Sequence, residues 1–199
     1  FDKDYSDLAS FKCDFIYWIN TELLSSSVNK IYKRGLITEL YPENMSFGED
    51  LVFVLNYLKH CNRISFTQEP LYQHEVYNSV SLTHSFSPAR FSNLEDIQKA
   101  ILDFADDKNK INPRIYDKYV KDALHLTRMW YKNKNVPYIR KKEIIGEWLK
   151  QSYIRKLKIS DYQLHWKDRM LLHCLHMSCF IGINLIVNGK EYINSLSKE

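Results

Sequence analysis

The chain has 199 residues, with 45% hydrophobic and 14% aromatic content and only five glycines and five prolines. These values are typical of a globular protein of one or two domains and exclude the collagenous and low-complexity classes. The four cysteines match neither a CxxC metal motif nor a dense disulfide framework, which predicts reduced thiols and a cytoplasmic protein. Because the chain begins at Phe1 and is acidic where a signal peptide would be basic, we expect it to be part of a longer protein.

Charge is distributed unevenly along the chain. Residues 1–107 carry 9 Lys/Arg and 16 Asp/Glu, a net charge of −7, whereas residues 108–199 carry 19 and 8, a net charge of +11. Such a basic half is typical of a surface that contacts nucleic acid, anionic lipid or an acidic partner. A solvated helical surface with excess lysines has the same composition, so charge alone leaves both interpretations open.

Apolar periodicity predicts the first elements in chain order. Steps of three and four residues predict an amphipathic helix from Asp4 to Leu24, with Asp4 or Ser6 as its cap. An irregular stretch over residues 28–48 follows, because Pro42 prevents a helix from continuing there. The run from Glu49 to His60 predicts a buried helix with an acidic first turn.

Two short strands and a helical second half are predicted next. Alternating side chains predict strands at Arg63 to Thr67 and Leu71 to Val76. The polar run 106–110 is typical of a linker and places a domain boundary near residue 107. Beyond Pro88 we expect only helices, over residues 88–106, 113–133, 138–157 and 161–187. The predicted fold class is mostly α with a small β component (α+β), in domains 1–107 and 108–199.

Three pieces of sequence occur in order: VNKIYKR from Val28 to Arg34, FGEDLVF from Phe47 to Phe53, and LYQH from Leu71 to His74 followed by SVS from Ser79 to Ser81. Together they resemble the second half of family 2 (GT-A type) glycosyltransferases, over residues 10–85. The resemblance implies that residues 1–107 are a truncated, acceptor-side GT-A half, followed by a helical bundle-like domain. It implies an enzyme when full length, with this fragment inactive alone.

Two adjacent acids, Glu49 and Asp50, carry the clearest chemistry. Carboxylates in the first turn of a helix meet the positive end of its macrodipole, which stabilises their charged form. An Asp fixed beside an acceptor cleft can take the proton of an attacking hydroxyl. The resemblance implies that Asp50 is this catalytic base and that Glu49 binds the acceptor. The alternative is that both are ordinary helix N-terminal acids; an open cleft with Lys30, Tyr32 and His74 near Asp50 would favour the enzyme.

Further site residues follow from the same resemblance. Asn29 and Lys30 are implied to lie on the acceptor side, although Lys30 is equally interpreted as a surface lysine. His74, Ser79 and Ser81 are implied to lie near the donor phosphates or a metal ion. His74 stands where family members often have Tyr, so a packed, hydrogen-bonded histidine is the favoured interpretation of this position.

The nucleotide-binding half of a GT-A enzyme is missing from this sequence. We expect the full-length enzyme to require a divalent metal ion, Mg²⁺ or Mn²⁺, on that half, and expect no cofactor and no metal on this chain. Asp2-Lys3-Asp4 matches a DxD string, but no apolar strand precedes it, so we interpret it as chance. The five glycines exclude a Walker A loop and a GxGxxG fingerprint. His173, His176, Cys174 and Cys179 are interpreted as core or interface residues rather than metal ligands.

The basic second half predicts partners other than sugars. Residues 170–187 carry no charged side chain but contain His173, His176, Ser178, Gly182 and Asn184, which makes them a poor membrane span. With the basic residues upstream, they predict peripheral docking at the inner face of an anionic membrane. No nucleic-acid motif accompanies the charge, so we expect no nucleic acid partner. In the first half, loss of the missing GT-A half would expose apolar surface of the helices at residues 11–24 and 49–60, through which the fragment could form a homodimer. The alternative function is therefore a protein-interaction or membrane-docking module without catalysis.

Overall fold

A computed structural model describes residues 2–73 and 87–196 of the chain, with side chains described as far as residue 189. The fold is mostly helical with one small two-stranded sheet, so the predicted α+β class is confirmed at that level. Two compact units divide the chain: Phe1–Ser85 with Asp96–Lys118, and Phe86–Glu95 with Tyr119–Glu199. The boundary near residue 107 stays a prediction.

The first unit begins with a strand where the sequence predicted a helix. Strand β1 (Lys3–Tyr5) pairs antiparallel with β2 (Ile64–Phe66), with Lys3 opposite Phe66 and Tyr5 opposite Ile64. Local periodicity cannot show a pairing between segments so far apart in the chain. β2 lies within the first predicted strand, whereas the described part of the second, residues 71–73, has no regular structure.

The predicted helix from Asp4 to Leu24 is two short helices, α1 (Leu8–Cys13) and α2 (Phe15–Asn20). Asp7, rather than Asp4 or Ser6, caps α1, because its side chain accepts a hydrogen bond from the Ser10 amide at 2.7 Å. The break falls at Asp14, a residue of low helix propensity. Its carboxylate accepts hydrogen bonds from the Lys3 ammonium and the Tyr5 hydroxyl of β1, which holds the break in place.

An aromatic cluster joins the sheet to these helices. The Trp18 ring stacks on Phe66 with centroids 3.8 Å apart, and its Nε1 donates a hydrogen bond to the Tyr5 hydroxyl at 2.6 Å. Phe11 and Phe15 are fully buried and both contact Phe104. Aromatic pairs of this kind add to the stabilisation that comes from burial alone.

Helix α3 (Glu49–Leu58) confirms the predicted buried helix and its acidic first turn. It begins after Gly48, which has φ of +77°, a left-handed conformation that glycine adopts without steric cost. A Cβ atom at this position would lie 2.1 Å from Cδ1 of Ile97. Gly48 is therefore required twice, by the backbone turn and by the close approach of Ile97.

The second half of the chain is helical, as predicted, with different bounds. The polar run 106–110 is a short helix rather than a linker, and the last predicted helix is two helices separated at Met177–Cys179. The helices are α4 (Ala89–Phe104), α5 (Asp107–Lys110), α6 (Asp117–Lys132), α7 (Tyr138–Gln151), α8 (Trp166–His176) and α9 (Phe180–Leu196). Short 3-10 turns occupy Pro113–Tyr116, Tyr153–Lys156 and Ile159–Asp161. Among the described residues, no helix is long and apolar enough to cross a membrane.

A half-buried carboxylate, that of Glu95, connects several elements of the second unit. Glu95 accepts hydrogen bonds from the Tyr119 hydroxyl at 2.5 Å and from Trp148 Nε1 at 2.6 Å. Its other oxygen accepts from the Tyr153 amide at 3.3 Å, and the Tyr119 hydroxyl also contacts that of Ser152. Burial raises the pKa of Glu95 above its ordinary value, and these donors partly offset that effect.

We expect Gly48→Ala to destabilise the protein by roughly 2–4 kcal/mol, because it combines left-handed strain with overpacking against Ile97. Gly35→Ala is the matched control, since no atom lies within 4 Å of a Cβ there and its φ is not positive. That change should alter the unfolding free energy by less than about 0.5 kcal/mol. Denaturant unfolding of the two variants measures the difference, and equal stabilities would contradict this role of Gly48.

Candidate functional site

The first turn of α3 presents the two acids that the sequence singled out. Glu49 and Asp50 are both half-buried. The Oδ1 atom of Asp50 accepts a hydrogen bond from the Ser27 hydroxyl at 2.7 Å, and Ser27 itself is buried. Within the part of the chain that the structure describes, the Oδ2 atom of Asp50 accepts no hydrogen bond. One carboxylate oxygen is thus fixed by Ser27, and no described group hydrogen-bonds to the other.

A segment without regular structure, residues 26–33, lies against α3 and carries Ser27. The Tyr32 hydroxyl donates a hydrogen bond to the Ser27 carbonyl at 2.9 Å. The Tyr32 ring packs edge-on against Phe53 and Tyr57, with centroids 5.4 and 4.9 Å away. The Tyr57 hydroxyl accepts from the Lys33 amide at 2.7 Å. These contacts hold an irregular segment in one position relative to Asp50.

Lys30 points back toward the preceding turn. Its ammonium donates to the carbonyls of Leu23, at 2.6 Å, and Ser26, and to Oδ1 of Asn29 at 2.7 Å. Burial lowers the pKa of Lys30 to about 8, and the charge of Asp50 acts in the opposite direction. Lys30 is therefore not a plain surface lysine, which was one of the two interpretations of the sequence.

The Asp50 carboxylate also affects the pKa of Tyr32. Burial is the main cause that raises the pKa of Tyr32 above its ordinary value, and the neighbouring Tyr41, Asp50 and Tyr57 raise it further. Tyr32 is consequently a neutral hydrogen-bond donor at physiological pH. Asp50 thus has a cation and a neutral phenol in its electrostatic neighbourhood.

A cavity of about 940 Å³ lies beside the 26–33 segment, within the first unit. Its lining is mostly apolar and includes Trp18, Leu24, Ile31 and Leu71, together with Asn29 and Lys30. Glu49 and Asp50 are not part of the described lining. The volume is in the range of cavities that bind small molecules, about 300–1,000 Å³.

The structure brings together four of the seven site residues predicted from sequence. Asp50 and Glu49 start α3, while Asn29 and Lys30 lie in the 26–33 segment that contacts it. His74, Ser79 and Ser81 lie outside the described residues, so their placement stays a prediction. Sequence reasoning missed Ser27, which lies between the predicted helix that ends at Leu24 and the irregular stretch that begins at residue 28. Its position directly before the VNKIYKR piece was the available signal.

The described residues contain no group of three or more His, Cys, Asp or Glu side chains that could hold a metal ion. His173 and Cys179 are exposed and therefore do not belong to the core, so the interface alternative for them stays a prediction. They lie near the junction of α8 and α9, where the chain turns between two helices.

No family model, no curated protein and no solved structure matches this chain.

We expect the Lys30 ammonium to titrate near pH 8, and its pKa to fall further in Asp50→Asn, which removes the negative charge that opposes the lowering. Glu49→Gln is the matched control, since Glu49 does not contribute to that shift. The unfolded chain holds the Lys30 proton up to its ordinary pKa of 10.5, so this group makes stability rise with pH from about 8 to 10.5. NMR titration of the lysine Cε resonances measures both values. An unchanged Lys30 pKa in Asp50→Asn would contradict the coupling.

Proposed function

We propose that this chain is the acceptor-side part of a glycosyltransferase of the family 2, GT-A type. The full-length enzyme would transfer a sugar from a nucleotide-sugar donor to a glycan or lipid-linked acceptor, in polysaccharide or cell-envelope glycan synthesis. The main support is the grouping of Asp50, Ser27, Lys30 and Tyr32. Lys30 and Tyr32 belong to one of the sequence pieces that carry the resemblance and Asp50 belongs to another, and these residues interact electrostatically. The hydrogen bond to Asp50 comes from Ser27, the residue directly before the first piece.

In the proposed reaction, Asp50 is the general base. The acceptor hydroxyl loses its proton to Oδ2 of Asp50 as its oxygen attacks the anomeric carbon of the donor. A new glycosidic bond forms, and the nucleoside diphosphate leaves with the electron pair of the broken bond. Ser27 fixes the orientation of the carboxylate through Oδ1, so the base needs little reorganisation to reach the reactive geometry.

We assign the acceptor to the cavity beside the 26–33 segment, whose described lining includes Asn29 and Lys30 but not Asp50. Asn29 and Lys30 line it, and both belong to the piece that the resemblance assigns to the acceptor side. Glu49, next to the base, is proposed to orient the acceptor. The apolar remainder of the lining suits an acceptor that carries an apolar portion, because burying that portion contributes about 25 cal/mol per Å².

The donor and its metal ion are proposed to bind elsewhere in the full-length protein. The described residues offer no metal site, and the divalent cation that the resemblance implies would be held by the nucleotide-binding half. His74, Ser79 and Ser81 are proposed to approach the donor from this chain.

The direct test uses the full-length protein and follows nucleotide release from a donor sugar in the presence of acceptor. We expect Asp50→Asn to lower kcat by about 10²–10⁴-fold, the usual contribution of a general base. Glu49→Gln should instead raise the acceptor KM. Asp103→Asn is the matched control, because Asp103 is an exposed acid on α4 whose ion pair among the described residues is with Lys99. If a folded Asp50→Asn protein kept a kcat within tenfold of the unchanged enzyme, Asp50 would not be the general base.

A second candidate function rests on the surface of the second unit. Five large apolar side chains are each between 48% and 77% exposed: Trp166 and Met170 on α8, Met177 at the junction, and Ile181 and Leu185 on α9. Within each helix the two residues are four positions apart. Residues four apart lie on the same face of a helix. We call these five residues the α8–α9 apolar row. It is the feature expected of a helix that lies in a membrane interface.

Cationic side chains border this row. Lys167 lies over the Trp166 ring at 5.4 Å, and Lys142 lies over the Phe180 ring at 5.7 Å. Arg155 donates to the Ser178 hydroxyl at 3.0 Å, at the junction of the two helices. Each such cation near an anionic surface contributes about 1 kcal/mol of attraction. Peripheral docking on anionic lipid is therefore proposed for this unit, with or without catalysis in the first.

We expect the protein to co-sediment with vesicles that contain phosphatidylglycerol at low salt, but not with pure phosphatidylcholine vesicles. Ile181→Ser and Leu185→Ser should each weaken binding by about tenfold, through lost burial of apolar area. Ile111→Ser is the matched control, since Ile111 is 83% exposed and belongs to the first unit. The absence of sedimentation at low salt would remove this candidate function.

A further inference from the structure

The junction between α8 and α9 has the geometry of a Schellman motif. The Cys179 amide donates to the Cys174 carbonyl at 2.7 Å, and the Ser178 amide donates to the Leu175 carbonyl at 3.0 Å. Ser178, between them, has φ of +52°, the left-handed conformation that this motif requires. These two bonds and the left-handed residue are the three defining features of the motif. We call residues 174–182 the elbow.

A Schellman motif places two particular side chains next to each other. One of the two bonds joins residues five apart in sequence, and the side chains of those two residues come into contact across the turn. In this chain both of those residues are cysteines, Cys174 and Cys179. Their proximity is therefore a direct result of how α8 ends, and it does not depend on contacts from elsewhere in the protein.

Gly182, in the first turn of α9, shows how close the two sulfur atoms are. A Cβ atom at Gly182 would lie 2.7 Å from Sγ of Cys174 and 3.1 Å from Sγ of Cys179. Both sulfur atoms thus lie over the same glycine. Burial and the neighbouring Cys179 thiol raise the pKa of the Cys174 thiol, which agrees with this short separation.

The two thiols differ in their access to solvent. Cys179 is exposed, and Cys174 is half-buried. Both are free, as are Cys13 and Cys61. An exposed thiol beside a partly covered one is the arrangement in which the first reacts with a reagent in solution and the second resolves the product.

We propose that Cys174 and Cys179 form a redox-active dithiol, which a small disulfide such as glutathione disulfide converts to an intramolecular disulfide. The thiolate of Cys179 attacks one sulfur of the reagent, so that a mixed disulfide forms and one glutathione leaves. The thiolate of Cys174 then attacks Sγ of Cys179 and displaces the second glutathione. The two protons lost by the cysteines end on the two glutathione molecules, and the protein loses the two electrons that the reagent gains.

The native elbow favours the intramolecular disulfide over the mixed disulfide with glutathione. Only four residues separate the cysteines, and the helix end already holds their side chains together, so little conformational entropy remains to be lost on closure. A cysteine without such a neighbour stops at the mixed disulfide. The disulfide would join the last turn of α8 to the residue before α9. It would thereby fix the elbow, which contains Met177 and Ile181 of the apolar row. This inference is independent of the proposed transferase reaction.

The test measures the equilibrium between dithiol and disulfide in glutathione buffers, with the protein native and in guanidinium chloride. Trypsin releases both cysteines in one peptide, Met170 to Lys190, and pairing makes this peptide two hydrogen atoms lighter and blocks its alkylation. We expect the equilibrium constant for oxidation to be at least tenfold larger in the native protein. Equal constants in the two states, or glutathione on Cys179 without pairing, would overturn the proposal.

Two variants at Ser178 test whether the native preference for the disulfide comes from the conformation of the elbow or only from the closeness of the two cysteines in sequence. Ser178→Gly keeps the left-handed conformation and should retain the native preference for the disulfide. Ser178→Pro forbids a positive φ and removes the amide that bonds to Leu175, so this preference should fall to the denatured value. Gly182→Ala is a third variant, which disturbs the two sulfur atoms directly. Its methyl group would separate them while the Schellman motif remains. The same oxidation constant in all three folded variants would also overturn the proposal.

Discussion

The left-handed conformation of Gly48 is the constraint on which the candidate site depends. It sets where α3 begins and lets the chain pass against Ile97 with no side chain between them. Because α3 begins there, Glu49 and Asp50 fall in its first turn, and Asp50 meets the Ser27 hydroxyl. The 26–33 segment has no regular structure of its own, so its position relies on contacts with α3: the Tyr32 ring packs on Phe53 and Tyr57, and the Tyr57 hydroxyl accepts from the Lys33 amide.

Both sites considered for this chain lie at helix ends, and a left-handed residue defines each of them. At the start of α3, Gly48 precedes two acids; at the end of α8, Ser178 stands between two cysteines. A helix end leaves backbone groups without intrahelical partners and turns the chain sharply, which brings side chains from neighbouring segments together. A site at a helix end is built from only a few residues. This explains why short sequence pieces could indicate the site at the start of α3.

The sequence predicted some elements well and missed others for identifiable reasons. The 49–58 helix was found because its apolar stripe is local and regular. Strand β1 was missed because its partner lies some 60 residues away, and its pairing depends on Tyr5, Trp18 and Phe66 meeting in one cluster. The break between α8 and α9 was missed because the apolar pattern continues through it, although a serine takes the left-handed position. In the site, the motif indicated Asp50 and Lys30, whereas the buried role of Ser27 arises only from tertiary contact.

We propose that Asp50 belongs to a transferase whose donor-binding half is encoded upstream of this chain. The most direct measurement is the coding sequence of the parent gene immediately upstream of Phe1. We expect it to encode an apolar strand followed by an Asp-x-Asp motif, the usual place for the metal ion and the donor diphosphate in the enzymes that this chain resembles. An upstream sequence without that strand and motif would contradict the transferase proposal and leave Asp50 as a helix N-terminal acid in an interaction module.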